Sequence, residues 1–297
     1  MHVFMTGATG YLGGVVAEHL LGAGHTVSAL ARSEGSRERA GRLGLTVVAG
    51  GLEDLDVLRA AAAGADAVVH TAVDYLNPRM PEIERNALGA MLDGTDGGRP
   101  FVYTSTGLVY PDTGGVPVDE DHPVDPVASP QPYKIHGERA VLAHEKAAGM
   151  VVRAALVYGR GGSGLLEGMI AGARARGAAT YIGEGANRWS SVHVDDLARL
   201  YVAAVERGTG GTVVNASSGE PASMREIAEA VARITGTPAV SITFEQAAEA
   251  LGPYAEVLVR SSPLDASRAE RLFGWRATAK GLLDELTTGS YAATATA

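Results

Sequence analysis

The sequence contains no cysteine, which excludes disulfide bonds and thiolate metal sites within this chain. Lysine is almost absent too, since Lys134, Lys146 and Lys280 are the only three. The formal net charge is −9 and no run of basic residues occurs, so we expect no nucleic-acid or anionic-membrane surface. No hydrophobic run is long enough to cross a bilayer, and no spacing of His, Asp and Glu suggests a metal site.

The N-terminal half alternates between strand and helix patterns, which predicts a parallel sheet with helical crossovers. A first strand within three residues of Met1 leaves no room for a signal peptide, and this predicts a cytoplasmic protein. Proline and acidic residues between 111 and 132 predict a loop that lies over the functional site of the protein. Strands are predicted at 3–5, 25–31, 45–49, 67–72, 101–105 and 150–155, with helices from 11, from 54, at 82–92 and at 133–148.

After residue 158 the alternation becomes less regular, and helices are predicted at 195–205, 223–234 and 265–273. This predicts a nucleotide-binding domain over 1–158 and a smaller, mainly helical substrate-side domain over 159–288. The chain is expected to return to the first domain around 190–215. The small, polar residues of 289–297 predict a disordered tail.

The first strand breaks at a glycine-rich turn, and a helical pattern follows directly. Gly7 permits the turn, Gly10 lets backbone N–H groups approach a pyrophosphate, and Gly13 allows the helix and strand to pack closely. The N-terminus of the helix adds free N–H donors and partial positive charge for phosphate groups. Strand, turn and helix in this order predict a dinucleotide site, although an ordinary glycine-rich turn is the alternative.

Several motifs in fixed order resemble the extended short-chain dehydrogenase/reductase superfamily, which includes nucleotide-sugar epimerases and dehydratases. The resemblance implies a Rossmann-type doubly wound α/β fold, an NAD(P) cofactor, a small-molecule substrate and a possible homodimer. The motifs are Thr6-Gly-Ala-Thr-Gly-Tyr-Leu-Gly13, His70-Thr-Ala72, Thr104-Ser-Thr-Gly-Leu-Val-Tyr110, Arg153-Ala-Ala-Leu-Val-Tyr-Gly159, His193-Val-Asp-Asp196 and Leu264-Asp-Ala-Ser-Arg-Ala-Glu-Arg-Leu-Phe-Gly-Trp275.

The residues after the second strand favour NADP over NAD. A carboxylate there would bind both ribose hydroxyls of NAD and repel a 2′-phosphate, but Ala31 is followed by Arg32 and Ser33. A solvated loop arginine is the alternative. Gly51 departs from the family, where an Asp often lies near the adenine. The cofactor contacts that we expect are Gly7, Thr9, Gly10, Tyr11, Leu12, Gly13, Arg32, Ser33, Leu52, Thr71, Ala72, Lys134 and Ala155.

The resemblance implies three catalytic side chains: a tyrosine acid, a lysine four residues later and a Ser or Thr that holds the reacting oxygen. Thr106 matches the last of these. If Tyr133 takes the tyrosine position, the lysine position falls on Gly137; if Lys134 takes the lysine position, the tyrosine position falls on Pro130. The spacing from Lys134 to Glu138 favours the second register. Lys134 is then retained, and Tyr133 either swings inward as the acid or only lines the site.

Other side chains are candidates for substrate contact. Asp74 and Tyr75 follow the fourth strand at its carboxyl end, where ligands bind in such sheets, and Trp189 is expected to border the pocket with Thr106. His193, Asp195 and Asp196 match a family motif that stabilises the domain junction.

The sequence is compatible with three functions. The first is an NADP-dependent reductase or epimerase acting on a small hydroxyl- or ketone-bearing metabolite. The second is a dehydratase, cyclase, isomerase or hydrolase that keeps the nucleotide pocket without conventional redox turnover, which the missing tyrosine favours. The third is a non-catalytic NADP-binding sensor.

Overall fold

The computed structural model describes residues 1–75 and 77–295. Its centre is a seven-stranded parallel sheet in the order β11-β6-β5-β4-β1-β2-β3. The strands are β1 (His2–Thr6), β2 (Thr26–Ala31), β3 (Thr46–Ala49), β4 (Ala67–His70), β5 (Arg99–Thr106), β6 (Ala147–Ala154), β7 (Leu156–Tyr158), β8 (Ala179–Ile182), β9 (Arg188–Trp189), β10 (Ser191–His193), β11 (Thr212–Ala216), β12 (Ala222–Ser223) and β13 (Ala239–Ile242).

Helices cover both faces of this sheet, as its fully buried central strands require. The helices are α1 (Tyr11–Gly22), α2 (Glu34–Arg42), α3 (Leu55–Ala63), α4 (Met80–Gly94), α5 (Pro132–Leu142), α6 (Gly164–Arg176), α7 (Val194–Arg207), α8 (Met224–Thr235), α9 (Phe244–Leu251), α10 (Tyr254–Leu258), α11 (Ser267–Phe273), α12 (Leu282–Thr288) and α13 (Ser290–Ala295), with a 3₁₀ turn at Gly107–Val109.

Two hydrophobic cores lie on opposite sides of the sheet. Alternate residues of β1 point to opposite faces, so Val3 and Met5 pack with α1 and α7, while Phe4 packs with α3 and α4. The sheet order reverses between β1 and β4, because β2 and β3 lie on one side of β1 and β4 and β5 lie on the other. Crevices at such reversals bind ligands at the carboxyl ends of the strands. The predicted doubly wound α/β fold is confirmed.

The part of the chain after residue 158 builds a separate core from α6, α8 and α12. Short strand pairs accompany it, namely β7 with β10, β8 with β13 and β9 with β12. Between them the chain returns to the first domain, because α7 packs on α1 and β11 pairs with β6 at the sheet edge.

At two places, the end of one helix and the C-terminal tail, the structure differs from the sequence-based prediction. The helix expected at 133–148 ends at Leu142, since the chain must turn at His144 before β6 begins at Ala147 beside Arg99. In the tail expected to be disordered over 289–297, the structure has α13 over Ser290–Ala295, and the ring of Tyr291 is buried in the core with α6, α8 and α12. Residues 296 and 297 lie outside the described residues.

Within the described ranges, the apolar helical segments are all too short or too polar to span a lipid bilayer.

Candidate active site

The glycine turn after β1 is a tight cradle for a ligand. Gly7 has a φ of +75°, a conformation that glycine adopts without strain. A Cβ on Gly13 would overlap the carbonyl oxygen of Gly7, so glycine is needed there for α1 to approach β1. Gly10 precedes α1 without a side-chain cap, and the first turn of α1 carries no acidic residue. The first backbone N–H groups of α1 therefore remain available for the phosphates of a dinucleotide, which fits this cradle.

Tyr11 connects this turn to the other half of the molecule. Its hydroxyl donates to the carbonyl of Gly159 at 2.8 Å, and its ring lies where a Cβ on Gly162 would be. The hydroxyl of Tyr291 accepts the amide N–H of Gly159 at 2.9 Å and donates to the carbonyl of Gly162. We call this arrangement the tyrosine clasp; it holds the loop 159–162 against the glycine turn.

The end of β2 presents cations to the cleft. Arg32 is exposed, and none of the described carboxylates forms an ion pair with it. Its aliphatic stem lies against Gly51, since a Cβ there would be 3.4 Å from its Cδ. Arg37 reaches back from α2 to donate to the carbonyls of Ala31 and Arg32, a second cation that the sequence reasoning missed. Ser33 caps α2 by accepting the amide N–H of Ser36 at 3.2 Å.

Lys134 on α5 lies beside the carboxyl end of β5. Its Nζ donates to the carbonyl of Thr104 at 3.2 Å and to Oε1 of Glu84 at 2.8 Å. Gly137, the alternative lysine position, instead faces Tyr103, whose hydroxyl would lie 2.5 Å from a Cβ there. One helical turn along, Glu138 pairs with Arg153 through three hydrogen bonds. Sequence reasoning missed Glu84, because a lone Glu on an amphipathic helix gives no sign that it is buried.

Thr106 and Tyr133 border the same edge of the sheet. Thr106 ends β5, and its Oγ1 accepts the amide N–H of Leu108 at 3.2 Å, which leaves its O–H free to donate. The ring centre of Tyr133 lies 5.4 Å from the Lys134 ammonium. Burial first, and then the charges of Tyr75 and Glu84, raise the pKa of Tyr133 far above its ordinary value. Pro130 precedes α5 and supplies no acid.

Tyr75 lies in the loop between β4 and α4. Its side chain is 65% exposed, yet surrounding protein and then the charges of Glu84 and Tyr254 raise its pKa to about 12. The charge of Tyr75 also raises the pKa of Tyr133. Asp74, its neighbour in the same loop, is exposed as well.

Other predicted contacts lie at or behind the cleft wall. Thr71 donates its hydroxyl to the carbonyl of Thr6 at 2.8 Å and lies beside Gly7 with Ala72. Ala155 donates its amide N–H to the carbonyl of Ala216. Leu52 packs against the core under α3 and α4.

Trp189 is not placed as a lining residue. It is only 5% exposed, and its indole N–H donates to the carbonyl of Arg260 at 2.7 Å. Its ring packs in the core with α6, α8 and α12, because β9 lies between β12 and Ser262.

The motif containing His193 and the two aspartates holds elements together. His193 caps α7, and Asp195 pairs with Arg160 and His19. Asp196 accepts the amide N–H groups of residues 278 and 279 at 2.9 and 3.0 Å. These contacts tie α7 to the loops around it, as expected for a structural motif.

Comparison with known proteins agrees with this geometry. The model of the NAD dependent epimerase/dehydratase family matches residues 3–217. An uncharacterized protein of Schizosaccharomyces pombe is 32% identical, with 98% of this chain and all of that protein covered. The 4-hydroxy-2-methyl-3-oxo-4-farnesyl-3,4-dihydroquinoline-1-oxide ketoreductase of Stigmatella aurantiaca is 31% identical, over 88% of this chain and 81% of its own length.

Solved structures share the fold as well. The dTDP-glucose 4,6-dehydratase of Bacillus anthracis, solved in complex with NAD, superposes with a TM-score of 0.81 at 17% identity, covering 99% of this chain and 96% of its own. A glycine cradle at the sheet reversal, a buried lysine at the end of β5 and a family match over most of the length lead to one conclusion. The chain belongs to the NAD-dependent epimerase/dehydratase family and is an NAD(P)-dependent enzyme of the oxidoreductase/epimerase type.

Proposed function

We propose that this chain is an NADP-dependent reductase that converts the carbonyl group of a small metabolite to a hydroxyl group. The supporting observation is that Thr106, Lys134 and a protonated phenol lie together at the carboxyl end of β5, above the glycine cradle. NADPH, when bound, supplies the hydride that the carbonyl carbon receives. Thr106 holds the carbonyl oxygen through its free O–H, and Tyr133 donates a proton to that oxygen. Lys134 binds the nicotinamide ribose hydroxyls.

The charge balance of the site favours reduction over epimerisation. An epimerase of this kind must first remove a proton from a hydroxyl group, which calls for a phenolate stabilised by an uncompensated lysine. Here Glu84 balances the charge of Lys134, and the pKa values of Tyr75 and Tyr133 are raised. Both phenols therefore stay protonated at neutral pH, where they can donate a proton but cannot accept one.

The direction of turnover tests this proposal. We expect a ketone panel to consume NADPH at neutral pH, while the matching alcohols reduce NADP⁺ only under strongly alkaline conditions. Nicotinamide absorbance measures both reactions. Comparable rates in the two directions at neutral pH would contradict it.

A non-redox reaction is the second candidate, because Pro130 stands where the family tyrosine is expected. It predicts a substrate that is transformed without net loss of NADPH. Following product by mass spectrometry alongside the cofactor absorbance separates the two candidates.

Arg32 is the residue that we propose to select NADP. Replacing it with alanine removes a charged hydrogen bond to the 2′-phosphate, which contributes about 1.5–3 kcal/mol. The expected result is NADPH binding that is roughly 10- to 100-fold weaker, with NADH binding unchanged. Fluorescence titration with both cofactors measures this, and Arg39→Ala on α2 serves as a matched exposed arginine. Equal losses for NADPH and NADH would argue against a phosphate contact.

A further inference from the structure

Glu84 is a buried carboxylate to which the proposed reaction gives no part. It lies on α4 and is 1% exposed, and its Oε1 accepts hydrogen bonds from both Lys134 and the hydroxyl of Tyr103. Its Oε2 has no hydrogen-bond partner among the described residues. A carboxylate buried this deeply is costly unless it is paired, so its position calls for an explanation.

Three elements converge to build this contact. α4 contributes Glu84, β5 contributes Tyr103, and α5 contributes Lys134, which is 3% exposed. Gly137 makes the convergence possible, because any side chain there would meet the Tyr103 hydroxyl. Lys134 is further held by the carbonyl of Thr104 at 3.2 Å. Contacts from these elements therefore fix the position of the Lys134 ammonium.

Glu84 is also the main negative charge facing Lys134. Burial lowers the pKa of Lys134, and Glu84 followed by Glu138 opposes that effect. The remaining titratable neighbours are Tyr103 and Tyr133, whose ring centres lie 5.0 and 5.4 Å from Nζ, and His70 on β4, stacked on Tyr103. Burial and then the charge of Lys134 lower the pKa of His70 to about 3, so that ring stays neutral.

We propose that Glu84 is a positioning residue that fixes the Lys134 ammonium at the end of β5 and keeps it protonated for the cofactor. This inference rests on the proposed function in one respect, the role of Lys134 toward the nicotinamide ribose. Glu84 is therefore not itself a catalytic residue, and it acts on the cofactor through Lys134.

The scarcity of lysine allows a direct test without the cofactor. In protein labelled with ¹³C-lysine, Lys134, Lys146 and Lys280 are the only signals to assign, and the last two are exposed. Glu84→Gln keeps the shape of the side chain but removes its charge. We expect the titration midpoint of Lys134 to fall by about one pH unit or more, equivalent to a tenfold loss of proton affinity, while Lys146 and Lys280 do not change.

Cofactor binding supplies the second measurement. The charged form of Lys134 binds the ribose, so NADPH affinity should fall as pH rises and Lys134 loses its proton. In Glu84→Gln this fall should occur at lower pH, and its shift should equal the shift of the Lys134 titration midpoint. Tyr103→Phe is the matched control: it removes the other hydrogen bond to Oε1 but leaves the charge, so the Lys134 midpoint should not fall.

The outcomes are distinct from those of the proposed reaction. An unchanged Lys134 midpoint in Glu84→Gln, or a fall as large in Tyr103→Phe, would overturn the inference whether or not the protein reduces ketones. If Glu84→Gln does not fold, the titration of Lys134 in the wild-type protein tests the inference instead. An uncharged Lys134 at neutral pH would overturn the inference as well. Failure of carbonyl reduction alone would overturn only the proposed reaction.

Discussion

Replacing Tyr133 with phenylalanine should lower kcat for carbonyl reduction about 10²- to 10⁴-fold, the range that a positioned general acid contributes. NADPH binding should hardly change, since the proposed contact of Tyr133 is with the substrate oxygen. Steady-state kinetics and fluorescence titration measure the two quantities. The ring of Tyr133 is half-buried beside Lys134, so phenylalanine fills the same space without its hydroxyl.

Tyr75→Phe is the matched variant, because it removes another phenol hydroxyl, one whose charge raises the pKa of Tyr133. We expect its effect to be on KM more than on kcat. A large loss of kcat in Tyr75→Phe with little loss in Tyr133→Phe would transfer the proton-donating role to Tyr75, and the chemistry would then come from the loop after β4.

Replacing Glu138 with alanine should cause the largest loss of stability, about 3–5 kcal/mol, because it leaves a buried arginine without its counter-charge. Glu138 and Arg153 are both buried and joined by three hydrogen bonds, and Ser105 also donates to Glu138. Arg153 in turn donates to the hydroxyl of Tyr110 at 2.7 Å. Chemical denaturation followed by circular dichroism measures the free energy of unfolding.

Asp56→Ala is the control for that experiment. Asp56 forms an ion pair with Arg59 at 2.7 Å, but its side chain is fully exposed. Exposed pairs contribute about 0–1 kcal/mol, so its removal should change stability little. Similar losses in the two variants would mean that burial of the Glu138 pair does not govern its contribution.

The fold could be predicted from the sequence because its signals are local. Runs such as 3–5 and 101–105 are apolar over the length of a buried strand, and Gly7 and Gly13 mark a turn that few other residues tolerate. Helix ends were less certain. The break after Leu142 depends on where β6 pairs with β5, which is a long-range contact.

The site was predictable only in part, for the same reason. Thr106 and Lys134 could be placed from motif spacing, but Glu84 lies 50 residues before Lys134 and belongs to no motif. The burial of Trp189 likewise depends on β12 and on residue 262, which are distant in sequence. Side chains that act through tertiary contacts leave no periodic trace in the chain.

The tyrosine clasp has a consequence for how the molecule is made. Its two phenols, Tyr11 and Tyr291, are separated by nearly the whole chain, yet both bond to the loop 159–162. During synthesis the glycine turn leaves the ribosome first, while the wall behind it gains its second support only when residue 291 emerges. A nascent chain released before that point lacks the partner of the Gly159 amide, so the tyrosine clasp is among the last contacts of the protein to form.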